Sequence, residues 1–388
     1  MIDYSNILNP TVTELKPSGI RKFFDLLENL KDTVALTVGQ PDFVTPWHIR
    51  EAGIESLQKG KTYYTSNAGT IELRRSIANY LSRRFSLKYD AEHEVLVTVG
   101  GSEAIDLAIR ACVSPGDEVI IPNPCFVCYE PIVKLVGGVP VVINTRYEDK
   151  FKLNPEMLKA AITPKTKMLI LAFPNNPTGA IMTREELMEI ADVIRDTNIV
   201  VLSDEIYAEL TYGRDHASFA SIPDMSERTI LASGFSKAYA MTGWRLGYLA
   251  APRPIAEQML KIHQYAIMCA PTTSQLAAIE ALDNGDADIE MMRDEYNRRR
   301  RLILRGFERI GIECFEPEGA FYAYPNIGQY GLSSDEFCER LLYENKCAIV
   351  PGTAFGEMGE GFARISYAYS VKHISEALNR IEDFVKKL

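Results

Sequence analysis

The sequence has no apolar run long enough to cross a membrane, and we expect no leader at its start. Its first residues, Met1-Ile2-Asp3-Tyr4-Ser5, lack the basic stretch and apolar core of a secretory signal, and no apolar run approaches about 18 residues. We therefore expect a soluble chain that resides in the cytoplasm and makes no membrane contact.

Basic residues are too few and too dispersed to form a nucleic-acid-binding face. The 42 lysines and arginines are outnumbered by 52 acidic residues, and the formal net charge is −10. Because a phosphate backbone is bound by clustered positive charge, nucleic acid is not an expected partner.

Cysteines are scattered and odd in number. Of the seven, Cys125 and Cys128 form one C-x-x-C pair, but no second pair or histidine cluster completes the spacing of a zinc site. We expect no metal, and reduced thiols of the kind found in a cytoplasm.

Length and the order of apolar segments predict an α/β fold. The 388 residues, 46% hydrophobic and 24% charged, suffice for two or three domains. From about residue 95 to 250, β-rich runs alternate with amphipathic helical stretches, the pattern of a parallel sheet with helices on both faces. The predicted strands cover 95–99, 118–122, 139–144, 168–172, 199–204, 229–233 and 246–251, and the predicted helices include 102–113, 126–136, 155–162 and 184–196.

Both ends of the chain fall outside this alternation. The segment after residue 285 turns strongly charged and then reads as a smaller α+β region, whereas the first 45 residues are punctuated by turns. We predict a large domain over 46–285 and a small domain formed by 1–45 and 286–388.

Four segments that directly follow predicted strands carry polar groups, and ligands of open α/β sheets bind at the carboxyl ends of strands. The first, Gly100-Gly101-Ser102-Glu103, opens a helix, where free amides and the helix dipole favour a phosphate. Taken alone, such a Gly-Gly pair is more often a simple turn.

The other three segments add a set of reactive groups. FPNNPTG at 173–179 supplies an amide, Asp204 and Tyr207 a carboxylate and a phenol, and Lys237 an amine, with Arg245 eight residues later. Individually these are a turn, a helix cap and a surface lysine. Together with a phosphate cradle they are the groups that an aldehyde cofactor with a phosphate tail requires.

Eight short motifs, in a fixed order, resemble the class I/II aminotransferases of fold type I, the aspartate aminotransferase superfamily. Several motifs in order are more specific than any one of them. Within the family the chain is most similar to bacterial aminotransferase A and the aromatic amino acid aminotransferases, in SGIRKF at 18–23 and HQYAI at 263–267. The eight motifs are TVGQPDF at 37–43, YYTSNAG at 63–69, GGSEA at 100–104, NNPTG at 175–179, SDEIY at 203–207, SGFSK at 233–237, MTGWRLGY at 241–248 and FARISYA at 362–368.

The resemblance implies a mostly parallel seven-stranded sheet, pyridoxal 5′-phosphate as cofactor, and catalysis by Lys237, Asp204 and Tyr207. Lys237 would carry the cofactor as a Schiff base and then act as general base, while Asp204 would pair with the pyridine nitrogen. Tyr207 and Asn176 would hydrogen-bond the ring hydroxyl, and Phe126 would lie over the ring.

The resemblance also implies a phosphate site, a substrate site and a homodimer. Arg364 would clamp the substrate α-carboxylate, assisted by Asn176 and the Gly39 backbone. The active site would lie at the subunit interface. The groups expected around the phosphate are the amides of Gly101, Ser102 and Glu103, the Ser236 hydroxyl, the Arg245 guanidinium and, from the other subunit, Tyr64.

Two positions depart from the family pattern. Gly234 stands where aspartate enzymes of animals and enterobacteria carry a phosphate-binding serine, so we expect Ser233 or Ser236 to compensate. Phe126 replaces the tryptophan common in aspartate enzymes. Neither change threatens cofactor binding.

The favoured function is ping-pong transfer of the amino group of an L-amino acid to a 2-oxo acid such as 2-oxoglutarate. A C–S β-lyase that uses the same cofactor shares the fold and most of the motifs, and stays an alternative. A cofactor-binding regulator is less favoured, because such regulators carry an N-terminal DNA-binding domain and some 45 residues precede the cofactor domain here.

The preferred substrate side chain is left open between aromatic, aspartate and N-acetylated diaminopimelate types. Ile20, Phe23, Tyr265 and Phe355 could line an apolar pocket for it, although such residues more commonly belong to the core, which is the favoured interpretation.

Overall fold

The computed structural model describes residues 2, 4, 7–17, 19 and 32–388. Its centre is a seven-stranded sheet with strand order β2-β8-β7-β6-β5-β3-β4, in which β8 alone runs antiparallel to its neighbours. The strands are β2 Val95–Thr98, β3 Glu118–Asn123, β4 Val139–Asn144, β5 Thr166–Ala172, β6 Val200–Asp204, β7 Thr229–Gly234 and β8 Gly247–Ala250. All seven predicted strands are confirmed, with ends that shift by no more than two residues.

Twelve α-helices lie in the described part of the chain. They are α1 Pro10–Glu14, α2 Trp47–Gln58, α3 Ile71–Phe85, α4 Gly101–Cys112, α5 Tyr129–Leu135, α6 Pro155–Ala161, α7 Arg184–Ile194, α8 Arg253–Ala266, α9 Thr272–Asn284, α10 Asp286–Ile310, α11 Ser334–Asn345 and α12 Val371–Val385. The helix predicted over 126–136 begins later than expected. Residues before Tyr129 form a turn, so Phe126 precedes the helix.

Alternation along the strands places helices on both faces of the sheet. In β3, Val119 and Ile121 pack in one core cluster with α4, α5 and α8. Ile120 points the other way, into a cluster with α6 and α7. The near-continuous apolar runs of the sequence are therefore explained by strands that are buried on both faces.

The N-terminal segment pairs with the C-terminal part of the chain. Strand β1 Val34–Ala35 runs parallel to β10 Cys347–Ala348. Beside them, a three-stranded sheet with order β11-β12-β9 consists of β9 Tyr322–Ala323, β11 Val350–Pro351 and β12 Ala363–Ser366. One core cluster joins these strands to α10, α11 and α12. The division at residues 46 and 285 stays a prediction.

In the described residues, no helix is both long and apolar enough to cross a membrane. Nor does any group of three or more His, Cys, Asp or Glu side chains in this part of the chain form a metal site. All seven cysteines are free thiols.

A histidine joins three helices next to the start of α10. His48 of α2 contacts Glu280 of α9 through Nδ1 at 2.7 Å and Asp288 of α10 through Nε2 at 2.9 Å. Burial opposes protonation of the ring, but the hydrogen bonds to the two carboxylates outweigh it and raise the pKa of His48. Both nitrogens donate only when the ring is charged.

We expect His48→Gln to remove a pH-dependent part of the stability. Folding raises the pKa of His48. The stabilisation by its two ion pairs is therefore complete below the pKa of the unfolded state, about 6.5, and is lost as the pH rises through the pKa of the folded state. The side chains are partly exposed, so the melting temperature should fall by roughly 2 °C at pH 5.5 and by less at pH 8.5. Thermal melts at both pH values test this. Substitution of the exposed His93 by Gln is the control, and an equal loss at both pH values would contradict the interpretation.

Candidate active site

Neighbouring strands end in register and so bring polar groups to one edge of the sheet. In the ladder, Asp204 at the end of β6 is paired with Ala172 of β5 and with Ala232 of β7. The segments that follow these strands surround a cavity of about 270 Å³. Its lining residues are Gly39, Gly101, Ser102, Ile105, Phe126, Tyr129, Ala172, Pro174, Asn176, Asp204, Ile206, Tyr207, Ser236, Lys237, Arg245, Tyr322 and Arg364.

Lys237 follows β7 and points into this cavity. Its Nζ donates a hydrogen bond to the Gly39 carbonyl at 2.6 Å. Burial, reinforced by the positive charges of Arg364 and Arg245, lowers the pKa of Lys237 to about 8, while Asp204 opposes the shift. The amine is therefore poised to exchange a proton near neutral pH.

Asp204 is a buried carboxylate on the same edge. Its Oδ2 accepts a hydrogen bond from the Tyr129 hydroxyl at 2.7 Å, and Oδ1 accepts from the Ile206 amide at 3.2 Å. Burial raises the pKa of Asp204, and these two hydrogen bonds act against the rise. Tyr129 thus favours the charged form of the carboxylate.

Arg364 brings a buried guanidinium from β12. Its Nη1 donates to Asn176 Oδ1 at 3.0 Å and its Nη2 to the Thr37 carbonyl at 2.5 Å. The guanidinium carbon lies 4.7 Å from the Tyr322 ring centre and 4.8 Å from that of Phe355. Among the described residues, the buried Nε has no hydrogen-bond acceptor. A donor left free beside a cavity fits an anionic ligand.

The N-terminus of α4 forms another wall. Gly100 precedes the helix with φ 78°, a left-handed conformation that suits glycine, and offers no side chain to cap the helix. A Cβ at Gly100 would lie 2.6 Å from Arg245 Nη2, so the guanidinium packs directly against this backbone. First-turn amides have no partner within a helix, and with Arg245 they favour a bound anion.

Aromatic side chains complete the cavity. The Tyr207 and Tyr322 hydroxyls are hydrogen-bonded to each other at 2.8 Å. Burial raises the pKa of Tyr207 well above its usual value, which keeps the phenol neutral. Phe126 lies on the wall and packs edge-to-face with Tyr129.

Eleven of the residues predicted for the site line this one cavity, but Glu103 and Tyr64 do not. The Glu103 amide is 3.2 Å from the Gly100 carbonyl, so a bond within the helix turn occupies it. Tyr64 is 77% exposed on this chain. Tyr129 and Tyr322 also line the cavity, although neither was predicted for the site. Tyr129, three residues after Phe126, could have been found from its place behind β3, whereas Tyr322 gave no local signal.

Of the residues considered for a side-chain pocket, Phe355 and Tyr265 do not line the cavity. Phe355 is buried in the core, where its ring covers Arg364. Tyr265 is 88% exposed, so the favoured assignment of this residue to the core is wrong for the chain as described. Ile20 and Phe23 lie outside the described residues, as does most of SGIRKF.

The fold and the site together define an α/β transferase of fold type I. The family model for aminotransferase class I and II matches residues 31–381. A Bacillus subtilis (strain 168) protein that carries an aminotransferase name is 51% identical over 383 residues, 99% of each chain. The aspartate aminotransferase of Pyrococcus abyssi is 44% identical, over 96% of this chain and 97% of the other. Among solved structures, the aromatic aminotransferase from Pyrococcus horikoshii OT3 matches with a TM-score of 0.90 at 44% identity, covering 94% of this chain and 99% of that one.

The chain belongs to the class I and II aminotransferases. It is an enzyme that transfers amino groups, and the predicted family, fold type and reaction are confirmed. These relatives support amino-group transfer and give no support to the β-lyase or regulator alternatives.

Packing explains why Gly234 departs from the family pattern. A Cβ at this position would lie 2.9 Å from Gly247 Cα and 3.0 Å from the Leu246 carbonyl oxygen, both backbone atoms of the neighbouring strand region. A serine would force β7 and β8 apart. Of the two compensating serines considered, Ser236 lines the cavity, whereas the Ser233 hydroxyl donates to the Glu205 carbonyl.

We expect Gly234→Ser to destabilise the protein by about 1–3 kcal/mol, because the crowded atoms are backbone and cannot move aside cheaply. Urea unfolding of the purified variant measures this. Gly243→Ser is the matched control, since a Cβ at Gly243 meets no atom within 4 Å. Equal stability of the two variants would show that the strands tolerate the added side chain.

Proposed function

We propose that the enzyme binds pyridoxal 5′-phosphate in the 270 Å³ cavity and moves an amino group between an L-amino acid and a 2-oxo acid by a ping-pong mechanism. The observation that carries the proposal is Lys237, a buried amine with a pKa of about 8 that faces the same cavity as Asp204 and Arg364. A lysine in this state is suited both to bind an aldehyde and to transfer a proton.

The residues present fit this cofactor. Lys237 would hold its aldehyde carbon, Asp204 would pair with its ring nitrogen, and Tyr207 and Asn176 would face its ring hydroxyl. Phe126 would cover its ring. When bound, the cofactor supplies an electron sink for negative charge at the substrate α-carbon. The phosphate would lie at the end formed by the Gly101 and Ser102 amides, the Ser236 hydroxyl and the Arg245 guanidinium.

Lys237 is proposed to move the proton at the substrate α-carbon. With a pKa of about 8, roughly a tenth of the amine is neutral at pH 7, against well under a thousandth for an unperturbed lysine. Its 2.6 Å hydrogen bond to the Gly39 carbonyl fixes the direction of the amine. The protein thereby keeps a base available near neutral pH.

Arg364 is proposed to bind the substrate α-carboxylate. Two of its nitrogens are held by Asn176 and Thr37, which fixes the plane of the fork, and its Nε has no acceptor in the described chain. Burial lowers the pKa of Arg364, yet arginine stays charged in proteins, so the buried cation demands an anion. Gly39 and Asn176 lie beside it on the cavity wall.

We propose that the active form is a homodimer in which Tyr64 reaches the phosphate of the other subunit. Tyr63, Tyr64 and Tyr265 are all exposed. The two segments that carry them are tied together, because Thr272 Oγ1 donates to the Tyr63 carbonyl and Asn67 Nδ2 to the Met268 carbonyl, each at 2.7 Å. Such an aromatic surface is typical of subunit contacts. We place the dimer in the cytoplasm, where the seven free thiols stay reduced.

Lys237→Ala should lower amino-group transfer by at least roughly a thousandfold, because both the covalent anchor and the base are lost. The assay supplies 2-oxoglutarate with a panel of amino donors, namely aromatic amino acids, aspartate and N-acetyl-LL-diaminopimelate. Borohydride treatment with pyridoxal 5′-phosphate, followed by mass spectrometry, should label the unsubstituted enzyme and spare the variant.

Two outcomes would contradict the proposal. One is transfer by the alanine variant at the rate of the unsubstituted enzyme. The other is release of pyruvate from cystathionine in the absence of any oxo acid, with no transfer from the donor panel, because that result would identify a β-lyase.

Tyr129→Phe should move the acidic limb of the kcat/KM profile to higher pH. Its hydroxyl hydrogen bond stabilises charged Asp204 and so lowers the pKa of that carboxyl, and its loss lets burial raise the pKa further. Tyr296→Phe is the control. In the described chain, its buried hydroxyl has no hydrogen-bond partner. An unshifted limb in the Tyr129 variant would mean that Asp204 does not control activity.

A further inference from the structure

His263 is a fully buried histidine that contacts the first turn of α4 from outside the cavity. It lies on α8 at 0% exposure, and its Nδ1 is 2.6 Å from Glu103 Oε1. The other carboxylate oxygen, Oε2, accepts the Val99 amide hydrogen bond at 2.5 Å. Glu103 therefore links the histidine to the loop that connects β2 with α4.

The Glu103 carboxylate belongs to the same helix end at which an anion is expected to bind. Glu103 occupies the same helical turn as Gly101 and Ser102, which line the cavity at the N-terminus of α4. A helix N-terminus stabilises one negative charge, and a second anion at the same end is repelled by the first. A phosphate and Glu103 would thus compete unless the charge of the carboxylate is compensated from another side.

His263 supplies that compensation. Burial of a carboxylate is costly unless donors satisfy it, and the side chain of Glu103 is only 10% exposed. The imidazole N–H and the Val99 amide satisfy both of its oxygens on the side away from the cavity. In the described residues, His263 Nε2 is buried without a partner, so the ring serves Glu103 alone.

We propose that His263 is a positioning residue for the phosphate-binding end of the active site. By donating a hydrogen bond that holds the Glu103 carboxylate against the Val99 amide, it leaves the Gly101 and Ser102 amides to a phosphate monoester. The inference rests on the proposed function, since the phosphate is that of the cofactor.

The test compares two ligands that differ only in the phosphate. Apoenzyme is titrated with pyridoxal 5′-phosphate and with pyridoxal, and the ratio of the two dissociation constants reports the phosphate site. His263→Leu should weaken pyridoxal 5′-phosphate roughly tenfold, the loss typical of a hydrogen bond to a charged group, and leave pyridoxal unchanged. His263→Asn, which keeps a donor near the Nδ1 position, should recover most of the ratio.

A double substitution separates charge from packing. In the double variant His263→Leu, Glu103→Gln, no carboxylate is left without its hydrogen-bond donor. The ratio of the two dissociation constants should therefore return toward that of the unsubstituted enzyme. A purely structural role predicts a further loss. His373→Leu is the matched control, because the His373 Nε2 contacts the Ala35 carbonyl at 2.9 Å and does not line the cavity.

The outcomes are distinguishable from those of the proposed function. An unchanged ratio in His263→Leu, or an equal weakening of both ligands, overturns the inference while amino-group transfer by the unsubstituted enzyme still stands. If the unsubstituted enzyme binds no pyridoxal 5′-phosphate, both fail. If the leucine variant does not fold, the same ratio of dissociation constants is compared between His263→Asn and His263→Gln. Gln places its amide near the Nε2 position, so the Gln variant should lose the preference for pyridoxal 5′-phosphate over pyridoxal that the Asn variant keeps.

Discussion

A buried lysine amine with a pKa lowered toward neutrality is the feature on which the rest of this site depends. Lys237 has this lowered pKa because it is buried in a cavity that also holds two arginines, whose positive charges lower the pKa further. Asp204 acts to raise the pKa of Lys237, but its carboxylate also accepts hydrogen bonds from the Tyr129 hydroxyl and the Ile206 amide. These opposing effects on the pKa of Lys237 depend on fixed distances, and each charged group in the cavity is held in place by its own hydrogen bonds.

Those positions depend on the sheet. β5, β6 and β7 end in register, so residues far apart in sequence reach the same edge. Gly234 allows β7 and β8 to approach closely, because a Cβ there would lie 2.9 Å from Gly247 Cα. Gly247 in turn lies against the start of α4, where its Cβ would be 2.6 Å from the Gly101 amide nitrogen. The end of the cavity at the start of α4 is therefore shaped by strand packing as much as by its own loop.

Much of the fold and site was predictable from the sequence. The strands were predictable because strands that are buried on both faces are continuous apolar runs. The polar site residues were predictable because most of them lie in the loops that directly follow those strands. The start of α5 was misplaced because the composition of the irregular segment and turn at 126–128 does not differ from that of the helix. Tyr265 was misassigned because an exposed aromatic residue has the same composition signal as one in a core.

By itself, the sequence determined the family, the strands of the large sheet and the chemical groups that follow those strands, since these depend on local spacing and period. The tertiary structure decided which partners those groups have. Tyr322 meets Tyr207 across 115 positions of sequence, Tyr129 meets Asp204 across 75, and His263 meets Glu103 across 160. Such contacts arise when separate elements pack against one sheet, and no pattern within either segment encodes the distance between them.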